Sequence, residues 1–151
     1  RNELDKLINY AGQNGIITNE MVNMVVVKEI QSDAYSLTNA IIEQNKPKII
    51  SLYNELIEQG NDVNYLFSLV SKSLREILIV SLMLKEGYRQ ADIAVKMKIS
   101  NGRAYYLVKN ARSLDLELVK EYVKKLGDLD YKIKSGQLEM KNGFEFFLFG
   151  L

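Results

Sequence analysis

The sequence predicts an all-α fold, a bundle of helices, and three observations support this prediction. Apolar residues recur at spacings of three and four along most of the chain, as they do on one face of a helix. Single glycines and helix-capping residues separate these stretches. The Asn-Gly pairs at 101–102 and 142–143 lie between helical patterns and not between alternating runs, so they do not indicate β-hairpins.

Residues 1–30 contain two short predicted helices. The apolar face of the first consists of Leu4, Leu7, Ile8 and Ala11, and Gly12 closes it. Thr18 is a suitable N-cap for the second, and Glu20 places a carboxylate in its first turn. Residues 21–27 are rich in valine and are also compatible with a strand, but the preceding cap favours a helix.

Two more helices follow between Asp33 and Gly60. The first ends near residues 45–46, and Pro47 lies where the first turn of the next helix tolerates proline. Gly60 ends this second helix. Its predicted buried face consists of Ile49, Ile50, Tyr53, Leu56 and Ile57.

The longest helical pattern covers about residues 62–86, with Asn61 as its cap and Gly87 after its end. Its apolar stripe consists of Val63, Leu66, Phe67, Val70, Leu74, Ile77, Leu78 and Leu82. In the second half, further apolar residues leave little polar surface on any side; these are Ile79, Val80, Met83 and Leu84. Because a helix that is apolar all round packs at the centre of a domain, we expect this helix to be central.

Four helices are predicted after Gly87. They cover residues 89–98, Asn101–Ser113 with Ser100 as cap, a stretch from a Ser113 cap to Gly136, and the tail from residue 137. Gly127 lies within the apolar stripe of the third, at a cost of about 1 kcal/mol relative to alanine. Helical spacing in the tail favours a helix over a strand; it involves Phe144, Phe147, Leu148 and Leu151.

The composition excludes most reaction chemistry. The chain has no cysteine and no histidine, which excludes disulfides, thiolate nucleophiles, and metal sites or triads that use thiolate or imidazole. Its glycines occur singly and form no phosphate-binding loop, and Lys134-Ser135-Gly136 lacks the upstream glycines of such a loop. We therefore expect no catalytic residue, no metal ion and no cofactor in this chain, which is not expected to be an enzyme.

Charge and hydropathy limit the remaining classes. The chain has 20 basic and 19 acidic residues and a net charge of +1, whereas a dedicated nucleic-acid domain is strongly basic. No apolar run is long enough to cross a bilayer, and no signal segment is recognisable. The absence of cysteine fits a reducing cytosol, so we expect a cytoplasmic protein. Because the chain begins at Arg1, we expect it to be a piece of a longer protein.

Two pairs of carboxylates are candidates for acid–base work or for binding a hard cation. They are Asp128 with Asp130 and Glu117 with Glu121. Lysines surround both pairs, and Lys134 follows Asp130 at the i,i+4 spacing of a surface ion pair worth about 0.2–0.5 kcal/mol. We therefore expect these carboxylates to lie on a solvated helix face.

Residues 89–100 are typical of the first helix and turn of a helix-turn-helix. Ala94 is the small residue that a close crossing requires, and Ile93, Met97 and Ile99 would be core residues. Residues 101–113 would then form a DNA-reading helix. The side chains available to a groove would be Arg103, Tyr106, Lys109, Asn110 and Arg112. The near-neutral charge of the chain and the apolar residues in the same short helix argue against this function.

The order of these motifs resembles the C-terminal part of the delta subunit of the bacterial DNA polymerase III clamp loader over nearly the whole chain. Residues 4–12 and 17–22 are similar to the last helices of that family's lid domain, and residues 33–41 are similar to the start of its collar domain. Arg75 stands at the family's usual arginine. The most specific match is an Asp-x-x-x-Lys-x-Gly signature formed by Asp130, Lys134 and Gly136. The phenylalanine-rich tail and Gly127 depart from the family pattern.

The resemblance implies an assembly role for the chain. It divides the chain into a C-terminal remnant of an AAA+ lid domain, residues 1–30, and a helical collar or oligomerisation domain, residues 31–151. In the family, the collar joins delta to the delta-prime and tau/gamma subunits, and an N-terminal domain missing here contacts the sliding clamp. This fragment would be non-catalytic within a parent complex classed as a DNA-directed DNA polymerase. It would meet DNA only indirectly and would not meet a membrane.

Two functions are favoured, and an enzyme that uses only carboxylates and lysines is a third, disfavoured one. The first is the collar part of a delta subunit, which serves sliding-clamp loading in DNA replication. The alternative is a helix-turn-helix DNA-binding regulator that reads DNA through residues 101–113, with Arg103, Tyr106, Lys109 and Arg112 as contacts. The longest helix and the tail carry more apolar area than a small bundle hides, which predicts an interface with other subunits and favours the first function.

Overall fold

The computed structural model describes residues 8–9, 11–12 and 15–150, with the backbone alone at residues 23 and 25–32. Every regular element in this part of the chain is helical, which confirms the predicted all-α fold class. The helices with defined bounds in the described range are α1 (Asn19–Ile42), α2 (Lys46–Glu58), α3 (Val63–Lys85), α4 (Gln90–Met97), α5 (Asn101–Ser113), α6 (Leu116–Lys134) and α7 (Met140–Phe149). None of these described helices is long and apolar enough to cross a membrane.

The helix predicted at the start of the chain lies largely outside the described residues. Its apolar positions Leu4 and Leu7 belong to the part that is not described. Ile8 and Ala11 are helical, and Gly12 has a positive φ of 71°, as expected for a glycine that ends a helix.

Helix α1 begins where the Thr18 cap predicts. The Thr18 hydroxyl accepts a hydrogen bond from the Met21 amide at 3.3 Å, which satisfies one of the free donors at the helix start. The valine-rich residues 21–27 are helical, so the strand alternative is wrong.

The short helix predicted after Thr18 and the helix predicted from Asp33 are one helix, α1, which continues through residues 30 and 31 because no glycine or proline occurs between its ends. It ends at Ile42, which is earlier than the predicted end near residues 45–46. The reason is a change in backbone conformation at Gln44, whose φ is 54°. Such a left-handed residue does not continue a right-handed helix.

Two predicted caps are wrong by one or two positions. The cap of α3 is Asp62, whose carboxylate accepts from the amide three residues later at 3.0 Å. Asn61 donates instead to the carbonyl of Leu56 at 2.8 Å, at the end of α2. The cap of α6 is Asp115 and not Ser113. In both places a carboxylate lies close to the predicted cap, and the positive end of a helix favours the negative charge.

Helix α3 is the central helix, as its apolar surface predicts. It contacts α1, α5, α6 and α7. One cluster of buried side chains surrounds its first half and includes α1, α2, α6 and α7; its members on α3 are Leu66, Phe67, Val70 and Leu74. A second cluster surrounds the second half; it consists of Ile77, Val80, Ile93, Leu107, Val108, Ala111 and Val119.

Three residues predicted for apolar helix faces are exposed in the described part of the chain, and Ile8 is one of them. Ile50 on α2 and Leu82 on α3 each lie at the edge of an apolar stripe. The other residues predicted for these two stripes are buried or half-buried.

The tail forms helix α7 and not a strand, as its spacing predicts. Phe144, Phe147 and Leu148 are buried at positions of one helix face. Leu151, the last residue predicted for this face, lies outside the described residues.

Helix α7 packs closely against α2, α3 and α6. The Phe144 ring meets the rings of Tyr53 and Phe67 edge to face, with centroids 5.9 Å and 5.5 Å away. A Cβ at Gly143 would lie only 2.6 Å from Leu129 Cδ1 and 2.8 Å from Leu138 Cδ2, so any other residue here would force these two leucine side chains to shift.

Candidate functional site

The predicted helix-turn-helix-like corner is present. Helices α4 and α5 contact each other and are joined by a short turn in which Lys98 is left-handed, with φ 53°. Ile93 and Ala94 are buried, and Met97 and Ile99 are half-buried, as core residues of such a corner.

Three of the candidate DNA-reading side chains are directed into the protein. Arg103 donates to the Tyr35 hydroxyl and lies over that ring, with Cζ 4.7 Å from the ring centroid. The Tyr106 hydroxyl donates to Asn39 Oδ1 at 2.7 Å, and Asn110 Nδ2 donates to the same oxygen at 3.0 Å. Residues expected to face a DNA groove therefore join α5 to α1.

Arg103 also forms an ion pair with Glu76 of the central helix. Burial raises the pKa of the Glu76 carboxyl, and the nearby Lys72 acts in the opposite direction. Burial likewise lowers the pKa of the Arg103 guanidinium. In both cases the charged form loses hydration. The pair joins α5 to α3. The Arg103 guanidinium therefore binds groups of this chain, Glu76 and Tyr35.

Two candidate DNA-reading residues remain on the surface. Lys109 and Arg112 are exposed and border a shallow depression of about 350 Å³. The depression is also lined by Gln90, Tyr105, Val108 and Ser113. Of the four residues named for the alternative function, the structure thus presents these two to solvent.

Large apolar side chains are exposed on α3 and α7, the two segments in which the sequence predicts excess apolar area. Ile79 and Leu82 are exposed on α3. On α7, Phe146 is 81% exposed and Phe149 is also exposed. We call these four residues the exposed apolar set. A concavity of about 350 Å³ adjoins Phe146 and is lined in part by apolar residues of α6 and α7.

The signature residues form a surface pair. Lys134 Nζ lies 2.6 Å from Asp130 Oδ2, as the i,i+4 spacing predicts. Gly136 follows with a positive φ of 74°, which ends α6.

Asp130 and Lys134 share a groove with Arg75 between α3 and α6. The sequence indicates Arg75 and the signature residues separately, but it does not predict that they lie in the same groove. No local signal could do so, because Arg75 and Asp130 lie on different helices that only the tertiary packing brings into contact.

Of the other carboxylate candidates, Glu117 and Glu121 form ordinary ion pairs with lysines, and Asp128 is exposed. Glu117 pairs with Lys120 at 2.7 Å, and Glu121 pairs with Lys125 at 2.8 Å. This confirms the predicted solvated helix face. Within the described ranges, no three or more acidic, histidine or cysteine side chains form a group that could hold a metal ion.

Comparisons with known proteins agree with this architecture. The family model described as DNA polymerase III delta subunit, C-terminal domain, matches residues 31–151. The DNA polymerase III subunit delta of Bacillus subtilis (strain 168) is 26% identical over 149 residues, which are 99% of this chain and 43% of that protein. The solved structure of the Bacillus subtilis DNA clamp loader delta protein has a TM-score of 0.77 and 25% identity over 99% of this chain and 44% of its own. The chain therefore spans less than half the length of either relative.

The same family is indicated by three observations: the order of the helices, the signature residues at the end of α6 and the family match. The resemblance noted in the sequence is confirmed, since the family model covers most of the chain. This chain belongs to the family formed by the C-terminal domains of DNA polymerase III delta subunits.

Proposed function

We propose that this chain is the assembly part of a clamp-loader delta subunit. It serves sliding-clamp loading in DNA replication and catalyses no reaction itself. The observation that carries the proposal is the exposed apolar set on α3 and α7 of a domain of this family. Helices α3 and α7 each expose two large apolar side chains that an interface would cover, and permanent complexes have the larger and more apolar interfaces.

The proposed partners are the delta-prime and tau/gamma subunits, bound through a collar that consists of residues 31–151. Residues 1–30 are proposed to be the end of a lid domain. The start of the family match at residue 31 supports this division, and α1 crosses it as one helix. The sliding clamp would be contacted by a domain outside this chain, and DNA only indirectly.

Co-elution in size-exclusion chromatography tests the assembly proposal. The chain is mixed with delta-prime and tau/gamma subunits, and we expect a complex that resists an increase in salt because apolar contacts dominate it. Phe146→Ser should weaken this complex by about tenfold or more, since burial of a phenylalanine contributes about 1.5–3 kcal/mol. Val95→Ser is the matched control, because Val95 is a comparably exposed apolar residue on α4. Absence of any complex with the wild-type chain would refute the proposal.

DNA binding is the second candidate function, and the exposure of Lys109 and Arg112 favours it. A gel-shift titration at about 50 and 200 mM salt tests it, because binding through phosphate contacts weakens steeply over this range. Tight binding to duplex DNA that is lost when Lys109 and Arg112 are both changed to alanine would replace the assembly proposal. The double variant Lys120→Ala, Lys124→Ala removes the same charge from exposed positions of α6 and serves as the control.

A further inference from the structure

We propose that the groove between α3 and α6 is a binding site for a carboxylate, presented as an acidic side chain on a segment of a partner subunit. The groove has a volume of about 330 Å³. Its polar lining includes Ser71 and Arg75 from α3 and Asp130 and Lys134 from α6. The inference rests on the proposed assembly function, because it assigns the carboxylate to a protein partner.

Ser71 supplies the first argument for a missing ligand. Its side chain is only 8% exposed, and its hydroxyl has no hydrogen-bond partner among the described residues. Two other serines of α3, Ser68 and Ser81, donate to the carbonyl four residues earlier, at 2.8 Å and 2.9 Å. A buried hydroxyl without a partner is unfavourable, and rotation of the Ser71 side chain towards the groove would allow it to bond to a ligand oxygen there.

Arg75 supplies the second argument. Its Nε donates to the backbone carbonyl of Ser71 at 3.2 Å, which holds the guanidinium at the edge of the groove. No carboxylate within the described part of the chain forms an ion pair with it. Its two terminal nitrogens therefore present the forked arrangement that binds a carboxylate through two parallel hydrogen bonds.

The charge of the groove favours an anion with a single charge. Lys134 is paired with Asp130 at 2.6 Å, so these two charges compensate each other. The surplus is the one positive charge of Arg75. A carboxylate carries one negative charge, whereas a phosphate group carries about 1.5–2 at neutral pH and would also face Asp130.

Gly127 keeps the groove open. The sequence places it within the apolar stripe of its helix, but the structure places it at the exposed wall of the groove. A Cβ built at Gly127 would meet no atom within 4 Å, so packing does not require a glycine here. Glycine is unfavourable inside a helix. Its role at position 127 is to leave the groove wall without a side chain, so that a ligand can enter.

The position of the groove indicates a protein segment as its occupant. Ile79 and Leu82 follow Arg75 by four and seven residues and therefore lie on the same face of α3. The α3 part of the exposed apolar set therefore extends along the helix from Arg75, at the edge of the groove. Its floor includes the apolar residues Phe67 and Leu126, which suit the carbon chain of a glutamate or an adjacent apolar side chain.

A titration monitored by NMR of the ¹⁵N-labelled chain tests the inference. The first probe is the dipeptide N-acetyl-Leu-Glu-amide, and its uncharged counterpart is N-acetyl-Leu-Gln-amide. We expect the glutamyl probe to shift the amide signals of Ser71, Arg75 and Gly127 and to bind at least about tenfold more tightly than the glutaminyl probe. Inorganic phosphate is the third probe and should bind more weakly than the glutamyl dipeptide.

Variants separate a binding site from a merely structural one. Arg75→Met should weaken glutamyl binding by about tenfold. Lys72→Met is the matched control, since it removes an exposed cation of the same helix that does not line the groove, and binding should be unchanged. Gly127→Ala should weaken binding although it stabilises the helix, a combination that a purely structural role does not produce.

The inference is overturned if the two dipeptides bind equally, if Arg75→Met binds as the wild type does, or if phosphate binds more tightly. The titration contains no partner protein, so its result is independent of the co-elution experiment. Co-elution without glutamyl binding would overturn the groove inference alone. Glutamyl binding without co-elution would overturn the assignment of the carboxylate to a partner subunit together with the assembly proposal.

Discussion

Replacement of Arg103 by leucine tests whether inward-facing polar residues hold α5 in place. Arg103 contacts the Glu76 carboxylate and the Tyr35 ring, and the side chains of the ion pair are only 23% and 14% exposed. Removal of one partner of a buried pair costs about 3–5 kcal/mol, whereas an exposed pair contributes less than about 1 kcal/mol. At this intermediate exposure we expect the free energy of unfolding to fall by about 2 kcal/mol. The corresponding decrease in Tm is about 4–8 °C for a domain of this size.

Glu76 gives this loss a definite pH dependence. Burial raises the pKa of its carboxyl above the ordinary value of 4.5, and loss of the Arg103 charge should raise it further. A carboxyl with a higher pKa in the folded state holds its proton more tightly when folded. Stability therefore falls as pH rises from the unfolded pKa through the folded pKa. The stability deficit of Arg103→Leu should accordingly be smaller at about pH 5 than at about pH 7.5.

Thermal unfolding followed by circular dichroism measures these effects. The wild type, Arg103→Leu, Glu76→Gln and the double variant form a double-mutant cycle. The double variant leaves no buried charge unpaired, so it should be more stable than Arg103→Leu alone. A coupling energy below about 0.5 kcal/mol, or a deficit that grows as pH falls, would refute the reasoning.

Five substitutions at four positions test other parts of the structure by melting or urea denaturation. Gly127→Ala should raise Tm by about 2–4 °C, because alanine is about 1 kcal/mol more favourable inside a helix and its Cβ would meet no atom within 4 Å. A lower Tm would show that the glycine has a packing role. Asp62→Ala should reduce stability by about 1 kcal/mol through loss of the α3 cap, whereas Asp62→Asn should retain most of it; equal losses would mean that the cap is unimportant. Phe144→Ala should reduce the free energy of unfolding by about 3–5 kcal/mol, because the ring is fully buried. Phe146→Ala, on the same helix, should change it by less than about 0.5 kcal/mol, and a large loss there would contradict its exposure.

Local signals in the sequence were sufficient to predict the helices. The caps at Thr18 and Ser100 and the apolar spacing along α3 and α7 act within a few residues, so they can be recognised without knowledge of the tertiary structure. The same signals were ambiguous where two capping residues lie close together. For this reason the cap of α3 is Asp62 and not the predicted Asn61, and the cap of α6 is Asp115 and not the predicted Ser113.

The direction of polar side chains could not be predicted in this way. Tyr106 and Asn110 bond to Asn39, which lies 67 and 71 residues away along the chain. Their helix would expose them if it stood alone, and only the packing of α5 against α1 gives them partners. The groove beside Arg75 was missed for the same reason, since each of its walls looks like an ordinary polar helix face in the sequence.

Helix α7 carries a buried aromatic ring and an exposed one only two residues apart, Phe144 and Phe146. A shortened chain that ends before Met140 would therefore lose part of its core together with the surface proposed for assembly. Such a truncation would yield a misfolded protein that binds nothing, and the result would imitate the loss of an interface. Single substitutions on the outer side of α7, in a chain that keeps its last helix, are the way to separate recognition from folding.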